Sequence, residues 1–265
     1  PQTFRATVRQ RPAPPPTPIT VKNHLGPVLE HYRVPIQYLS EPPTEWIRYE
    51  PKGKMLVLDR VFEKQGIQIP KMLVGKNVIH MPTVKTHIFT GTTGSMKNAF
   101  GGLLNLNRHW THSVIHETLV DLLRIQKEIH PGIFAVMDGT IVGDGPGPRC
   151  MRPHVKNFIL ASDDCVAIDA IAAKMMGFDP MQDLKFIRLA HENGLGVGNP
   201  SEIEIVGEDI TNVNFGFRGS LNESTLASRG QKLIYWGPLK PLENMLLRSP
   251  IVPWSYAASR LYHDG

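Results

Sequence analysis

Apolar residues along this 265-residue chain occur either as short continuous runs or as helically spaced stripes. Three runs have the length of buried strands and lie at 78–81, 133–137 and 158–161. Three stripes have helical spacing, end at a glycine or proline, and lie at 111–130, 162–176 and 181–193. Continuous apolar strands that alternate with helices predict an α/β fold, with a mostly parallel sheet and helices on both faces.

The pattern also predicts how the chain divides. Residues 1–20 contain a proline run, RPAPPPTPIT, which favours polyproline II and predicts an irregular N-terminal arm. Residues 21–212 carry the strand and helix signals and form the predicted α/β domain. Beyond residue 212 the signal weakens, so we predict a C-terminal extension over 213–265.

Composition narrows the classes of function. The net charge is +5, but no basic stripe interleaved with aromatic residues is present, so we do not predict nucleic acid as a partner. No apolar run reaches the roughly 18 residues that a membrane span requires. The two cysteines, Cys150 and Cys165, lack metal-binding spacing, so we do not expect an iron–sulfur cluster within this chain. They are consistent with a reducing compartment, and we predict a cytoplasmic protein.

The segment from Val84 to Leu104 is the strongest candidate site. A strand, a glycine-bearing loop and a helix start direct backbone N–H groups and a lysine toward an anion. Lys97 lies early in the helix, where its charge opposes the helix dipole, and a bound anion or a covalent adduct would explain it. A capped helix with surface lysines is the alternative. The predicted cofactor-binding residues are Lys85, Thr90, Gly91, Thr93, Gly94, Lys97 and Asn98.

A second glycine-rich loop is predicted over 138–147, after another buried strand. Ligands bind at the carboxyl ends of strands in open α/β sheets, so the two loops should open at the same edge. A carboxylate at Asp138 or Asp144 could bind a cation, orient a histidine or accept a proton. Tight-turn formation is the alternative. We predict His87, Lys97 and Asp138 as catalytic residues.

Histidines and one buried aspartate complete the candidates. His112 and His116 are four residues apart and share a helix face, but no HExxH motif is present. The predicted metal ligands are His109, His112 and Asp144, and surface or capping histidines are the alternative. Asp169 lies in an otherwise apolar helix and must be hydrogen-bonded or paired, so it could brace a site lysine or a loop backbone.

Four blocks of the sequence resemble a known family. VIHMPTVKTHIFTGTTGSMKNAFG, MDGTIVGDGPGPR, ILASDDCVAIDAIAAKMMGFDP and GLGVGNPSEIEIVG resemble, in this order, the domain-of-unknown-function family numbered 362, over roughly residues 60–210. The family has no settled activity, so the resemblance implies a fold more than a reaction. Many members carry a ferredoxin-like cysteine cluster, which two cysteines cannot supply. The family's usual N-terminal strand, with its lysine-proline-asparagine motif, is not evident.

A shorter segment, HIFTGTTGSMK, is similar to the nickel-pincer lactate racemase family. That similarity implies a nickel-pincer-like nucleotide tethered by Lys97, with His87 as the acid–base residue. It also implies a metal-ligand role for His109 or His112, although their spacing does not match cleanly.

Together these patterns predict an enzyme that binds an anionic, phosphate-bearing cofactor or substrate. A metal ion is possible as a second component, and the chemistry would be acid–base or redox, in an isomerase or oxidoreductase. The predicted partners are a small anionic ligand and, for redox chemistry, a partner protein. The alternative is a non-catalytic ligand-binding or assembly module.

Overall fold

The structure is a computed structural model that describes residues 25–39, 43–104, 107–147, 151–217, 219 and 226–247. Residues up to Glu45 and residues from Trp46 onward form two separate units. In the first unit, the described residues contain one helix, α1 (Leu25–His31). The predicted arm over 1–20 lies outside the described residues, and the boundary at residue 20 stays a prediction.

The second unit holds the sheet and the main helices. Its described strands are β1 (Trp46–Tyr49), β2 (Ile67–Pro70), β3 (Val78–His80), β4 (Thr83–His87), β5 (Gly91–Thr93), β6 (Ile133–Asp144), β7 (Arg152–Val155) and β8 (Ile159–Ser162). Its described helices are α2 (Leu58–Val61), α3 (Ser95–Asn98), α4 (Phe100–Leu103), α5 (Ile115–Ile129), α6 (Cys165–Met176), α7 (Lys185–Glu192), α8 (Leu226–Tyr235) and α9 (Glu243–Leu247). Short 3-10 helices lie at Lys71–Leu73, Arg108–Val114, Pro200–Glu202 and Lys240–Leu242. Among these described helices, none combines the length and apolar character that a bilayer span requires.

Strand β6 is the centre of the main sheet. Ala135 pairs with His80 of β3 on one side and with Ser162 of β8 on the other. Gly143 pairs in the same way with one residue of β4 and one of β7. Strands β3 and β4 run parallel to β6, whereas β7 and β8 are antiparallel to it and β5 is antiparallel to β4. The predicted α/β class is confirmed, with a mixed sheet that has parallel strands on one side of β6.

Both predicted loops contain strand structure, and this corrects the sequence interpretation. The first glycine-rich segment is a hairpin in which β4 and β5 pair from Lys85↔Thr93 to His87↔Gly91. In the second, β6 continues to Asp144, so only the residues after it form a turn. The reason is that β4 and β7 pair with the glycine-rich part of β6. This strand pairing outweighs the local preference of the glycines for turns.

Helix α6 follows its sequence signals closely. The Asp164 carboxylate accepts hydrogen bonds from the amides of Val166 and Ala167 at 2.7 and 3.1 Å and caps the helix start. Gly177 ends the helix in the left-handed conformation, with φ of 103°. Almost the whole helix is buried, which agrees with its nearly continuous apolar sequence. This places Asp169 inside the core.

One region of the sheet is not covered by described helices. Ile79, Phe134 and Ile159 are 63, 41 and 69% exposed, and they lie on β3, β6 and β8. The pairing of Ile79 with Phe134 places both side chains on the same face. The opposite face carries Ala135 and Met137, which are fully buried. The prediction of helices on both faces therefore does not hold for this region within the described part of the chain.

Residues after the predicted boundary at 212 pack onto the second unit. The amides of Phe215 and Phe217 donate to the carbonyls of Met175 and Met176 at 2.8 and 2.9 Å. Phe217 is buried in the core, and Tyr235 at the end of α8 is also buried. The described part of the extension is therefore integrated with the α/β unit, and the boundary itself stays a prediction.

Candidate anion site

Helix α3, which carries Lys97, begins on the carboxylate of Asp169. The amides of Ser95 and Met96 donate to its two oxygens at 2.6 and 3.0 Å. A Cβ at position 94 would lie 2.1 Å from Oδ1, so glycine is required there for the carboxylate to approach. Asp169 therefore braces a loop backbone, which is one of the two roles that the sequence left open for it.

Asp169 is almost completely buried, and burial raises its pKa to about 7. The two amide donors act in the opposite direction and stabilise the ionised form, while the nearby Asp164 raises the pKa further. The carboxylate therefore changes its protonation state near neutral pH. Its two hydrogen bonds from α3 come from backbone amides.

Three cationic side chains, Lys85, Lys97 and Arg108, form what we call the basic cluster. Lys97 is half-buried, with Nζ 5.8 Å from the centre of the Phe100 ring. The pKa of Lys97 is lowered to about 8. Burial is the largest cause, and the charges of Lys85 and Arg108 also contribute. None of the described carboxylates forms an ion pair with any of the three. Like charges that lack an acidic partner are typical of an anion site.

His87 is held as a neutral hydrogen-bond donor next to this cluster. The amides of Phe89 and Thr90 point to its Nδ1 at 3.2 and 3.4 Å. Because Nδ1 accepts, the proton of the neutral ring is on Nε2. Burial is the main cause that lowers the pKa of His87, to about 2, and the charge of Lys97 is the next. His87 therefore cannot take up a proton near neutral pH, and Nε2–H can only donate.

His112 has the opposite tautomer. Its Nδ1 donates to the carbonyl of His109 at 3.0 Å, so its Nε2 carries the lone pair. Burial lowers the pKa of His112 to about 4, with the charge of Lys97 adding to the effect. His112 is the histidine of this site whose ring presents a basic nitrogen.

Aromatic rings cover the histidines. The Phe89 ring lies 5.6 to 5.9 Å from four other rings, those of His87, His112, Tyr235 and Trp236. Tyr235 stacks on His112 with the ring centres 5.8 Å apart and the planes at 9°. Trp236 Nε1 donates to the Ser113 carbonyl at 2.9 Å and attaches the end of the α8 segment to this site. This cover explains why burial dominates the histidine pKa values.

Several predicted binding residues use their polar groups within the protein. The Thr90 hydroxyl donates to the carbonyl of Thr92 at 2.7 Å, and the Thr93 hydroxyl donates to the carbonyl of Lys85 at 3.2 Å. These bonds close the β4–β5 hairpin. The two hydroxyls therefore shape the turn, and their predicted contact with a cofactor stays a prediction.

Gly91 and Asn98 also have structural roles. Gly91 has φ of 78°, and a Cβ there would lie 2.5 Å from Leu184 Cδ2. The exposed Asn98 donates from Nδ2 to Nδ1 of the buried His80 at 3.2 Å. The charges of Lys85 and Lys97, more than a glycine-lined backbone cradle, distinguish this site.

The two glycine-rich segments lie side by side, and the prediction that they line a common site stays a prediction. Lys85 pairs with Gly143, and the Thr86 hydroxyl donates to the Gly145 carbonyl at 2.7 Å. The amide of Ile88 donates to the Gly147 carbonyl at 3.2 Å. The contact between them consists of backbone pairing and close packing, so the second segment supports the hairpin instead of opening a loop beside it.

The structure does not bring the predicted carboxylates to the basic cluster. Asp138 is exposed on β6, and its Oδ1 accepts from the Thr140 amide at 2.8 Å. Asp144 is buried, and its Oδ1 accepts from the amides of Gly145 and Gly219 at 2.8 and 3.0 Å. Its Oδ2 lies 3.5 Å from Arg152. Both aspartates thus have local partners on or near β6.

The proposed metal ligands do not assemble into a metal site. Within the described ranges, no group of three or more histidine, cysteine, aspartate or glutamate side chains could hold a metal ion. His109 and His112 are neighbours, but Asp144 is hydrogen-bonded elsewhere. The roles of His109, His112 and Asp144 as metal ligands stay a prediction.

Sequence reasoning missed four residues of this site, namely Phe89, Arg108, Tyr235 and Trp236. Arg108 lies in a 3-10 helix outside both glycine-rich segments. Tyr235 and Trp236 belong to the extension, where the pattern is weak. Among the four, only Phe89 lies inside the glycine-rich segment, where an aromatic residue could have been recognised as part of the site.

These features define an α/β protein with a partly buried basic cluster and two neutral histidines, His87 on β4 and His112 in a 3-10 helix. The chain belongs to the family described as Domain of unknown function (DUF362), which matches residues 16–174. It is also 27% identical over 135 residues to a thylakoid-associated protein of Synechocystis sp.. That match covers 48% of this chain and 40% of the relative, so the chain spans less than half of the relative's length. No solved structure matches. The similarity to lactate racemases stays a prediction.

Proposed function

We propose that this protein is an enzyme that binds a small anionic ligand, a phosphate-bearing cofactor or substrate, on the basic cluster. One observation carries the proposal: Lys97 is partly buried near the charges of Lys85 and Arg108, and no described carboxylate pairs with it. Placing like charges together in a poorly solvated site costs free energy, which a bound anion would recover. The protein would then hold Lys97 ready for a ligand.

The neighbouring histidines give the bound ligand two different contacts. His87 offers Nε2–H as a donor to an anionic or carbonyl oxygen, and His112 offers the Nε2 lone pair as an acceptor. A neutral donor and a neutral acceptor beside a cationic cluster can polarise a ligand and move one of its protons. This assigns the acid–base role to His112, whereas His87 positions the ligand.

Binding of inorganic pyrophosphate tests the anion site. Isothermal titration calorimetry would compare the wild-type protein with Lys97→Met and Lys85→Met, which remove a charge but keep an unbranched apolar side chain. The exposed Lys54 gives the matched control, Lys54→Met. We expect at least about tenfold weaker binding for the two site variants, because a charge-assisted hydrogen bond contributes about 1.5–3 kcal/mol. The control should stay within about twofold.

Failure of the wild-type protein to bind pyrophosphate, or equal binding by Lys97→Met and Lys54→Met, would contradict the proposal. Turnover is tested with the small molecule that copurifies from the protein's own host. Its conversion by the wild-type and Lys54→Met proteins, but not by Lys97→Met, would establish an enzyme. Recovery of the molecule unchanged from the wild-type protein would instead support a binding module.

A further inference from the structure

The amine of Lys97 has surroundings that differ from those of a simple electrostatic anchor. Its Nζ is partly buried and lies near the charges of Lys85 and Arg108, with no acidic partner among the described side chains. The Phe100 ring, 5.8 Å away, favours the protonated amine, but burial and the two charges outweigh it, because the net pKa is lowered. An anchor works best fully charged, whereas desolvation and like charges favour the neutral amine. A neutral amine is a nucleophile, and enzymes activate lysines in this way for reaction with carbonyl groups.

We propose that Lys97 forms an imine with an aldehyde or ketone that carries a phosphate or carboxylate group. The inference rests on the anion site proposed above, because Lys85 and Arg108 would hold the anionic group while Lys97 reacts. The imine proposal narrows the candidate ligands to carbonyl compounds that carry a negatively charged group.

The step balances without an added oxidant or reductant. The lone pair of Nζ forms a bond to the carbonyl carbon and gives a carbinolamine. The carbonyl oxygen then leaves as water with the two hydrogens of the neutral amine, and a C=N bond remains. His87 Nε2–H can donate to the carbonyl oxygen during attack, and the His112 Nε2 lone pair can accept the proton that the nitrogen loses.

The charge state of Lys97 supports this chemistry. Burial and the neighbouring cations lower its pKa to about 8. At pH 7, an amine with that pKa is neutral in roughly a tenth of the molecules, and an ordinary lysine in fewer than about one in a thousand. The neutral, nucleophilic fraction of Lys97 is thus about two orders of magnitude larger than that of an ordinary lysine. Asp169, the buried acid of α6, bonds to backbone amides of α3, and no described carboxylate forms an ion pair with the Lys97 amine.

Pyridoxal 5′-phosphate followed by sodium borohydride tests the proposal, because borohydride reduces an imine to a stable secondary amine. Peptide mass spectrometry then locates the adduct. At limiting reagent we expect Lys97 to be labelled at least about tenfold faster than Lys54, with a midpoint near pH 8. Pyrophosphate should suppress labelling of Lys97, and pyridoxal without phosphate should label it poorly.

Lys97→Arg separates the two proposals, since arginine keeps the positive charge but forms no imine. We expect this variant to lose the adduct at position 97 and to bind pyrophosphate more tightly than Lys97→Met does, because it keeps the charge that Lys97→Met removes. Wild-type protein that binds pyrophosphate but labels Lys97 no faster than Lys54 would overturn the imine and leave the anion site intact. Absence of both pyrophosphate binding and preferential labelling would overturn both proposals.

Discussion

The carboxylate of Asp169 accepts a hydrogen bond of 2.6 Å from the backbone amide of Ser95, which lies 74 residues earlier in the chain. This bond joins the buried helix α6 to the first residue of α3. Lys97 follows two residues later on α3. The buried helix α6 therefore helps to position Lys97, and we expect a change at Asp169 to alter the position of the Lys97 side chain.

Replacing Gly94 tests this link by steric means. In Gly94→Ala, the new Cβ would lie 2.1 Å from Asp169 Oδ1, so the carboxylate must move and its two amide bonds must lengthen or break. We expect the free energy of unfolding to fall by about 2–4 kcal/mol and pyrophosphate binding to weaken. Urea denaturation and calorimetry measure the two effects. Gly101→Ala is the control because nothing lies within 4 Å of its Cβ position, and it should be neutral or slightly stabilising.

Asp169 should make stability depend on pH with an unusual sign. The pKa in the folded state is about 7, above the ordinary value of 3.8, so the folded protein binds more protons between these pH values. Its contribution to stability is therefore present at low pH and lost as pH rises from about 4 to 7. We expect the stability difference between wild-type and Asp169→Asn to fall over that range, by at most about 1.4 kcal/mol per pH unit. Urea denaturation at intervals across the range measures it, and a flat or rising difference would refute the assignment.

His87 should contribute with the opposite sign. Its folded pKa is about 2, below the ordinary 6.5, so the unfolded chain binds the extra proton and stability is lost as pH falls below about 6.5. The variant His87→Asn keeps an acceptor at the position of Nδ1 but does not titrate. We expect the stability difference between wild-type and His87→Asn to fall on acidification, by at most about 1.4 kcal/mol per pH unit. A difference that is independent of pH would contradict this.

A second His87 variant separates packing from hydrogen bonding. His87→Leu fills similar space but leaves the amides of Phe89 and Thr90 without their acceptor. We expect it to be less stable than His87→Asn by about 1–3 kcal/mol at neutral pH, the cost of leaving buried donors unsatisfied. Equal unfolding free energies for the two variants would show that these amides do not depend on Nδ1.

Tyr235 should control the protonation of His112. Burial is the largest cause of the lowered pKa of His112, about 4, and Tyr235 stacks directly on its ring. In Tyr235→Ala, water regains access to the imidazole, so we expect the pKa of His112 to rise by about one unit toward its ordinary value. An NMR titration of the histidine ring protons measures it. Leu242→Ala, at an exposed position on the same segment, should leave the titration unchanged.

Local signals in the sequence were sufficient for helix α6 and for its buried acid. The terminal glycine and the apolar pattern together predicted the helix, because each acts within a few residues. The need to satisfy a buried carboxylate left two roles for Asp169, bracing a lysine or bracing a loop backbone, and the structure shows the second. The family assignment also came from the sequence blocks and is confirmed.

The glycine-rich segments show where local reasoning failed. Both were interpreted as loops, since glycine and threonine favour turns, yet β4, β5 and β6 run through them. Their pairing partners are remote in sequence, so no local window contains the interactions that decide the conformation. For the same reason, Asp138 and Asp144 were predicted to face a shared pocket but have partners of their own.

By itself, the sequence determined the α/β class, the C-terminal end of α6 at Gly177, and the presence of a histidine and two lysines in the segment that forms β4, β5 and α3. The tertiary structure decided which charges meet and how much water reaches them. It added Arg108 to the two lysines, which contributes to the lowered pKa of Lys97. It also placed Phe89 against His87 and stacked Tyr235 on His112, and burial lowers the pKa of both histidines. Those shifts depend on burial and on distances between remote residues, and neither quantity is encoded in any local stretch of chain.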